Sequence, residues 1–173
     1  STDGGANWSA VIAQNVVSFE LASDKAYNAG DIQVVQIAAD GTESSAATNS
    51  AAITTDATPL AAPSAPVLNT DSGSSTSDGI TNDATVNVTV STASEYASWE
   101  YSTDGGTNWS VGVGNSFELA SNTTYVADKI QARLIDKAGN KGAVAKISSQ
   151  IVTDMVADAP VISVANSNVI DLD

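Results

Sequence analysis

The chain has 173 residues, with 20 acidic and 6 basic side chains and a formal net charge of −14. It contains neither cysteine nor histidine, which excludes disulfide frameworks, Ser-His-Asp triads and zinc sites built on these residues. The acidic balance argues against nucleic-acid backbones and anionic membranes, because both need clustered Lys and Arg, and no apolar run approaches the ~20 residues of a membrane span.

The first 58 residues contain motifs that recur about 100 residues later. Residues 1–9 (STDGGANWS) and 102–110 (STDGGTNWS) agree at eight of nine positions, at an offset of 101. SFELAS occurs at 18–23 and again at 116–121, at an offset of 98. A period near 100 exceeds the 20–50 residues of a solenoid unit and suits tandem β-sandwich domains.

Proline- and alanine-rich linkers set the frame of this repeat. Pro59, Pro63 and Pro66 follow Asp56, and Asp158-Ala159-Pro160 is the matching linker after Asp154. We expect the complete copy to fold alone and the partial first copy not to, because the latter lacks its front strands. The predicted organisation is the C-terminal part of a domain at 1–58, a linker at 59–64, a complete domain at 65–158, and a linker with the first strand of a third domain at 159–173.

Short strands separated by Gly, Asn and Asp turns are predicted along the complete copy. Residues 67–68 open it, 70–83 form a long polar loop, and 85–90 alternate valine with polar residues, as in a half-buried antiparallel strand. Asp104-Gly105-Gly106 is typical of a tight hairpin. Further strands are predicted at 99–101, 116–119, 130–134 and 145–152. The pattern predicts an all-β fold of immunoglobulin-like (Ig-like) sandwiches in tandem: partial, complete, partial.

The aromatic residues have structural and binding interpretations. Trp99 is predicted to be the core tryptophan of its strand, and Tyr125 a structural corner residue. Trp8 and Trp109 follow the two Gly-Gly hairpins. They either pin these hairpins to the sandwich or form exposed stacking platforms, which keeps open a non-catalytic carbohydrate- or protein-binding module.

Four features together resemble a known family. They are WEYSTDGGTNWS at 99–110, the aromatic Tyr125, DKAGN at 136–140 and TDSGSSTSDGITND at 70–83. In combination they resemble the bacterial Ig-like repeats in the extender region of giant type I-secreted surface adhesins. The chain departs from antibody domains in lacking a cysteine pair, and it lacks the GGxGxD nonapeptide of RTX calcium rolls.

The resemblance implies an extracellular spacer on a bacterial cell surface, active in adhesion and biofilm rather than in catalysis. Its partners would be neighbouring Ig-like domains of the same chain. It also implies calcium at the domain junctions. Without such a role, aspartates are ordinary turn formers and solubilising residues.

The fold prediction divides the candidate calcium ligands between two poles of the complete copy. Calcium takes six to eight oxygen ligands from carboxylates, carbonyls and water. Strand directions in an Ig-like sandwich place one set at the C-terminal pole, where Asp128 also maps, and the other beside the preceding domain. The first set is Asp71, Asp78, Asp83, Asp104, Asp154 and the linker residue Asp158; the second is Glu95, Asp136, Asn140 and the linker residue Asp56.

Overall fold

The computed structural model describes residues 1–9 and 18–157, so Asp158 and the predicted segment 159–173 lie outside the described residues. Within these ranges the chain is all-β and has no helix. No helix there is both apolar and long enough to cross a membrane. The chain forms two compact units. Unit 1 contains Ser1–Ala61, Thr92–Ser98 and Leu134–Ala143, and unit 2 contains Ala62–Ser91, Trp99–Arg133 and the chain from Val144.

Unit 1 contains four short strands in two antiparallel pairs. The strands are β1 (Lys25–Tyr27), β2 (Gln33–Val34), β3 (Ala47–Thr48) and β4 (Ile53–Thr55). β1 pairs with β4, and β2 pairs with β3. Tyr27, Ile32 and Leu134 are its buried large apolar side chains among the described residues.

Unit 2 holds most of the remaining strands. They are β5 (Val67–Leu68), β6 (Ile80–Thr81), β7 (Thr85–Asn87), β9 (Ser110–Val111), β10 (Ser116–Glu118), β11 (Thr123–Tyr125), β13 (Ala145–Lys146) and β14 (Ile151–Thr153). β8 (Tyr96–Ser102) and β12 (Gln131–Asp136) each contribute residues to both units. The sheet orders are β10-β7-β5, β11-β14-β6 and β13-β12-β8-β9.

The alternation of apolar and polar residues explains which side chains enter the core of unit 2. Val86 and Val88 are buried while their neighbours are half-buried or exposed, as the period of two in a strand requires. Trp99 is 1% exposed, and this agrees with its predicted core position. Several small sheets with inward apolar faces are consistent with a β-sandwich.

Two strands differ from the sequence prediction. β6 lies inside the stretch 70–83 that was expected to be loop, and it pairs in parallel with β14. The predicted strand 145–152 is split into β13 and β14, which belong to different sheets. Both features depend on tertiary partners rather than on local pattern, which is why alternation along the chain did not indicate them.

A one-residue bulge accompanies this split. Tyr125 pairs with Ile151, and Gln131 pairs with Lys146. Between these two pairs one strand segment advances six residues and the opposite segment advances five, so one residue is extra. The extra residue is accommodated near Asp128, whose φ of 67° is left-handed. The first copy has Gly30 at the equivalent position, with a φ of 87°. An inserted residue of this kind bends the strand and shifts its register.

Candidate functional site

The hairpin of the complete copy is held by the carboxylate of Asp104. Its Oδ1 accepts hydrogen bonds from the Ser102 hydroxyl at 2.8 Å and the Thr107 amide at 2.9 Å. Its Oδ2 accepts one from Asn108 Nδ2 at 2.7 Å. The amide and side chain of Asn108, followed by Ser102, lower the pKa of Asp104 to about 2. This predicted calcium ligand therefore caps a turn.

The hairpin of the first copy has the same bonds. Asp3 accepts from the Ser1 hydroxyl at 2.8 Å and from Asn7 Nδ2 at 2.7 Å. The amide and side chain of Asn7 lower the pKa of Asp3 to about 2. Because the same capping geometry occurs in both hairpins, turn formation is sufficient to explain why an aspartate stands at this position.

The two hairpin tryptophans have different surroundings. Trp109 Nε1 donates to the Gly106 carbonyl at 2.9 Å, and the Arg133 guanidinium lies 3.9 Å from its ring centroid. Arg133 also pairs with Glu100 at 2.7 Å. Trp109 therefore pins its hairpin through contacts that the sequence pattern did not reveal. Trp8 is 47% exposed, and Val35 occupies the position equivalent to Arg133.

Four of the predicted ligands lie close together in unit 1. Asp136, which is 2% exposed, accepts from the Asn140 amide at 2.8 Å and from Asn140 Nδ2 at 2.9 Å. Asn140 Nδ2 also donates to the Asp56 carbonyl at 3.0 Å, and the Lys137 amide donates to the Glu95 carbonyl at 2.8 Å. Burial acts to raise the pKa of Asp136, but the hydrogen bonds from Asn140 outweigh it and the pKa is lowered. Asp56 and Glu95 thus take part through their peptide groups.

Asp71 in unit 2 has a carboxylate oxygen whose hydrogen-bonding capacity is unused. Its Oδ2 accepts from the Gly79 amide at 2.9 Å, whereas Oδ1 is buried and has no hydrogen-bond partner among the described residues. Asp71, Asp78 and Lys146 all line an open groove of about 390 Å³. A buried carboxylate oxygen without a donor is costly unless a cation or water satisfies it. Asp71 is therefore the predicted ligand whose surroundings best fit a metal.

The remaining predicted ligands bond within their own turns. Asp83 accepts from Asn69 Nδ2 at 2.9 Å and from the Thr85 amide at 2.9 Å, and these bonds lower its pKa to about 2. Asp78 accepts from the Ile80 amide at 3.1 Å, and Asp154 from the Val156 amide at 3.2 Å. Within residues 1–9 and 18–157, no three acidic side chains are grouped so that they could hold a metal ion. Calcium binding by the predicted ligands therefore stays a prediction.

The same two side-chain bonds, here called locks, occur in both copies at an offset of 98 residues. The bond to Tyr125 fits its predicted role as a structural corner residue. The threonine bond was not predicted, although the Thr-Asp pair that recurs at 98 residues could have indicated it. In each copy a tyrosine hydroxyl accepts from an upstream amide, and a threonine hydroxyl donates to the carbonyl of that same residue. These bonds join Tyr27 to Ala22 at 3.0 Å and Thr55 to Ala22 at 2.6 Å, and likewise Tyr125 to Ala120 at 3.0 Å and Thr153 to Ala120 at 2.6 Å.

The hydrogen-bonded carboxylates of Asp3, Asp83 and Asp104 predict that the stability of the fold depends on pH. The pKa values of Asp3, Asp83 and Asp104 fall from 3.8 to about 2 on folding, so the folded state favours their ionised forms. Their contribution is complete above pH 3.8 and is lost as the pH falls toward 2. We expect a melting temperature that is flat from pH 7 to 5 and declines steeply below pH 4. Asp104→Asn should flatten this decline, whereas Asp128→Asn should not; equal profiles would contradict the assignment.

Comparison with known proteins adds no family. No family model and no curated protein matches this chain.

Proposed function

We propose that this chain is a structural spacer: tandem Ig-like repeats from the extender of a bacterial cell-surface adhesin, acting outside the cell. The observation that carries the proposal is the repetition of the same side-chain locks at an offset of 98 residues, Tyr27 and Thr55 in one copy and Tyr125 and Thr153 in the other. A duplicated framework of this kind supplies length and rigidity. Neighbouring domains of the same chain would be its partners.

The pairing of β6 with β14 supports a mechanical role. The two strands are parallel, and the Val152 amide donates to the Gly79 carbonyl at 2.8 Å while the Asp154 amide donates to the Thr81 carbonyl at 2.8 Å. β6 lies near the start of unit 2 and β14 near its end. Tension applied to the two ends of unit 2 therefore slides these strands past each other and loads their hydrogen bonds together, rather than opening them one at a time.

Single-molecule stretching of the chain from its two ends tests the spacer role. We expect one abrupt unfolding event when the pairing of β6 with β14 breaks, because this pairing closes the chain between residues 80 and 153. The released segment should add about 250 Å of contour length, at roughly 3.3–3.6 Å per residue. Smooth extension at low force with no such step would argue against a spacer.

Calcium is the proposed cofactor, and the buried Oδ1 of Asp71 is the observation that favours it. Asp71 and Asp78 would supply carboxylate oxygens on one side of the complete copy, and the Asp136, Asn140 and Asp56 group would supply oxygens on the other. A bound divalent cation supplies positive charge, which reduces repulsion in a chain of net charge −14. Extracellular calcium modules bind with dissociation constants of about 10⁻⁴–10⁻³ M.

Chelation is expected to lower the melting temperature, and millimolar calcium to restore it. Asp71→Asn should blunt this response because it removes the charge beside the unsatisfied position. Asp40→Asn is the matched control, since Asp40 lies in unit 1, is not one of the predicted ligands and accepts from the Thr42 amide in its own turn at 2.9 Å. Calorimetry showing no calcium heat at millimolar concentration, with an unchanged melting temperature, would leave the aspartates as turn formers.

The exposed ring of Trp8 favours a second candidate function, a non-catalytic carbohydrate- or protein-binding module. An exposed indole offers an apolar face to a sugar ring or a partner side chain. Glycan binding that Trp8→Ala abolishes and Trp109→Ala retains would promote this alternative over the spacer.

A further inference from the structure

The first copy has an apolar surface that is buried at the equivalent positions of the complete copy. Phe19, Val34 and Ile53, here called the open face, are 44%, 48% and 39% exposed. Their counterparts 98 residues later, Phe117, Ala132 and Ile151, are 6%, 0% and 4% exposed. The same chain therefore contains a covered and an uncovered version of one surface.

In the complete copy, the contacts of Phe117 show which residues cover the surface that is equivalent to the open face. Phe117 stacks on Tyr101 with ring centroids 4.1 Å apart and lies 6.1 Å from Trp99. Phe117 also pairs with Val86 where β10 meets β7. All of the covering residues named here belong to the segment 65–101, the front half of the complete copy.

The outer edge of β14 is also covered in the complete copy, whereas the outer edge of its counterpart β4 is not covered by a strand of the described residues. β14 has β11 on one side and β6 on the other, with Val152 opposite Ile80. β4, its counterpart, pairs with β1, and no strand of the described residues lies on its outer edge. Among residues 1–9 and 18–157, unit 1 thus presents an apolar face and a strand edge that are both without the cover found in unit 2.

We propose that the open face and the outer edge of β4 bind the front half of another repeat, a segment with the sequence character of residues 65–101. The recognition is apolar and backbone-directed: alternating valines and a tryptophan cover the face, and a short strand adds to β4. Segment 65–101 carries five acidic and no basic side chains, and residues 1–58 carry seven acidic and one basic. Since like charges oppose this docking, salt should strengthen it by screening.

The test adds a synthetic peptide of residues 65–101 to the full chain and follows amide hydrogen exchange. We expect one peptide per chain, protection at Lys25–Tyr27 and Ile53–Thr55, and tighter binding as salt increases. Two peptides of equal charge provide the matched comparison. Val86→Lys with Val88→Lys places both charges on the buried face and should weaken binding at least tenfold, whereas Thr85→Lys with Thr89→Lys uses the half-buried and exposed positions and should retain it.

A change in the chain provides the second arm. Phe19→Asp should abolish protection, and the adjacent exposed Ser18→Asp should not. The proposal is overturned if the peptide does not bind, if the two lysine peptides bind equally, or if protection falls on β7 and β10 because the peptide exchanges into unit 2. It is also overturned if sedimentation shows that the chain self-associates through Phe19 while residues 65–101 of each copy stay protected in their own unit 2, because the occupant would then be a different surface of the second copy. The experiment does not depend on the spacer role, since failure of either leaves the other standing.

Discussion

Trp99→Ala is expected to destabilise unit 2 by about 3–5 kcal/mol, the cost of truncating a buried large aromatic side chain. Trp99 is 1% exposed, and its ring lies 5.9 Å from Tyr101 and 6.1 Å from Phe117. Its Nε1 also donates to the Gly114 carbonyl at 3.0 Å. Truncation therefore leaves a cavity beside the stacked rings of Tyr101 and Phe117 and removes the donor to that carbonyl.

Trp109→Ala is the matched comparison, because it removes the same side chain from a half-exposed position. Its losses are the stacking of Arg133 and the bond to the Gly106 carbonyl. Cation–π contacts at exposed sites contribute about 0.5–1 kcal/mol, so the expected destabilisation is well below that of Trp99→Ala. Denaturant unfolding measures both variants, and equal midpoint shifts would show that the two rings have similar structural roles.

The local pattern was sufficient to predict much of the fold. The strands around Val86 and Trp99 were expected from alternation and are present as β7 and β8, and the short strands predicted at Val67 and Phe117 are present as β5 and β10. The signal was strong for β7 and β8 because one face of each strand is more buried than the other. The tight turn at Gly105-Gly106 was also predicted from the sequence. Both residues have positive φ, which glycine adopts readily.

The remaining features depend on residues that are distant in the sequence. Ile80–Thr81 is too short to show a period, and it becomes a strand because β14 lies beside it. The role of Arg133 depends on its distance from Trp109, which no motif encodes. Asp71 and Asp104 look equivalent in sequence, yet one has a buried oxygen without a donor and the other is fully bonded in a hairpin.

Gly112→Ala is expected to destabilise unit 2 by about 3 kcal/mol or more, at the upper end of the cost of overpacking. A Cβ at Gly112 would overlap the fused ring bond of Trp99. The ring cannot move aside, because Tyr101 and Phe117 pack near it and the Gly114 carbonyl holds its Nε1. The effect is steric, since the alanine amide can still donate to the Trp99 carbonyl as the Gly112 amide does at 2.9 Å.

A double-mutant cycle separates this clash from a general loss of strand stability. Trp99→Leu removes the ring atoms that the new Cβ would meet, so Gly112→Ala should cost much less in that background than in the wild type. Contacting residues typically show coupling of about 0.5–3 kcal/mol, and we expect a value near the upper limit. Denaturant midpoints of the wild type, the two single variants and the double variant provide the measurement. Additive costs would mean that Gly112 is required for its backbone conformation rather than for the space it leaves to Trp99.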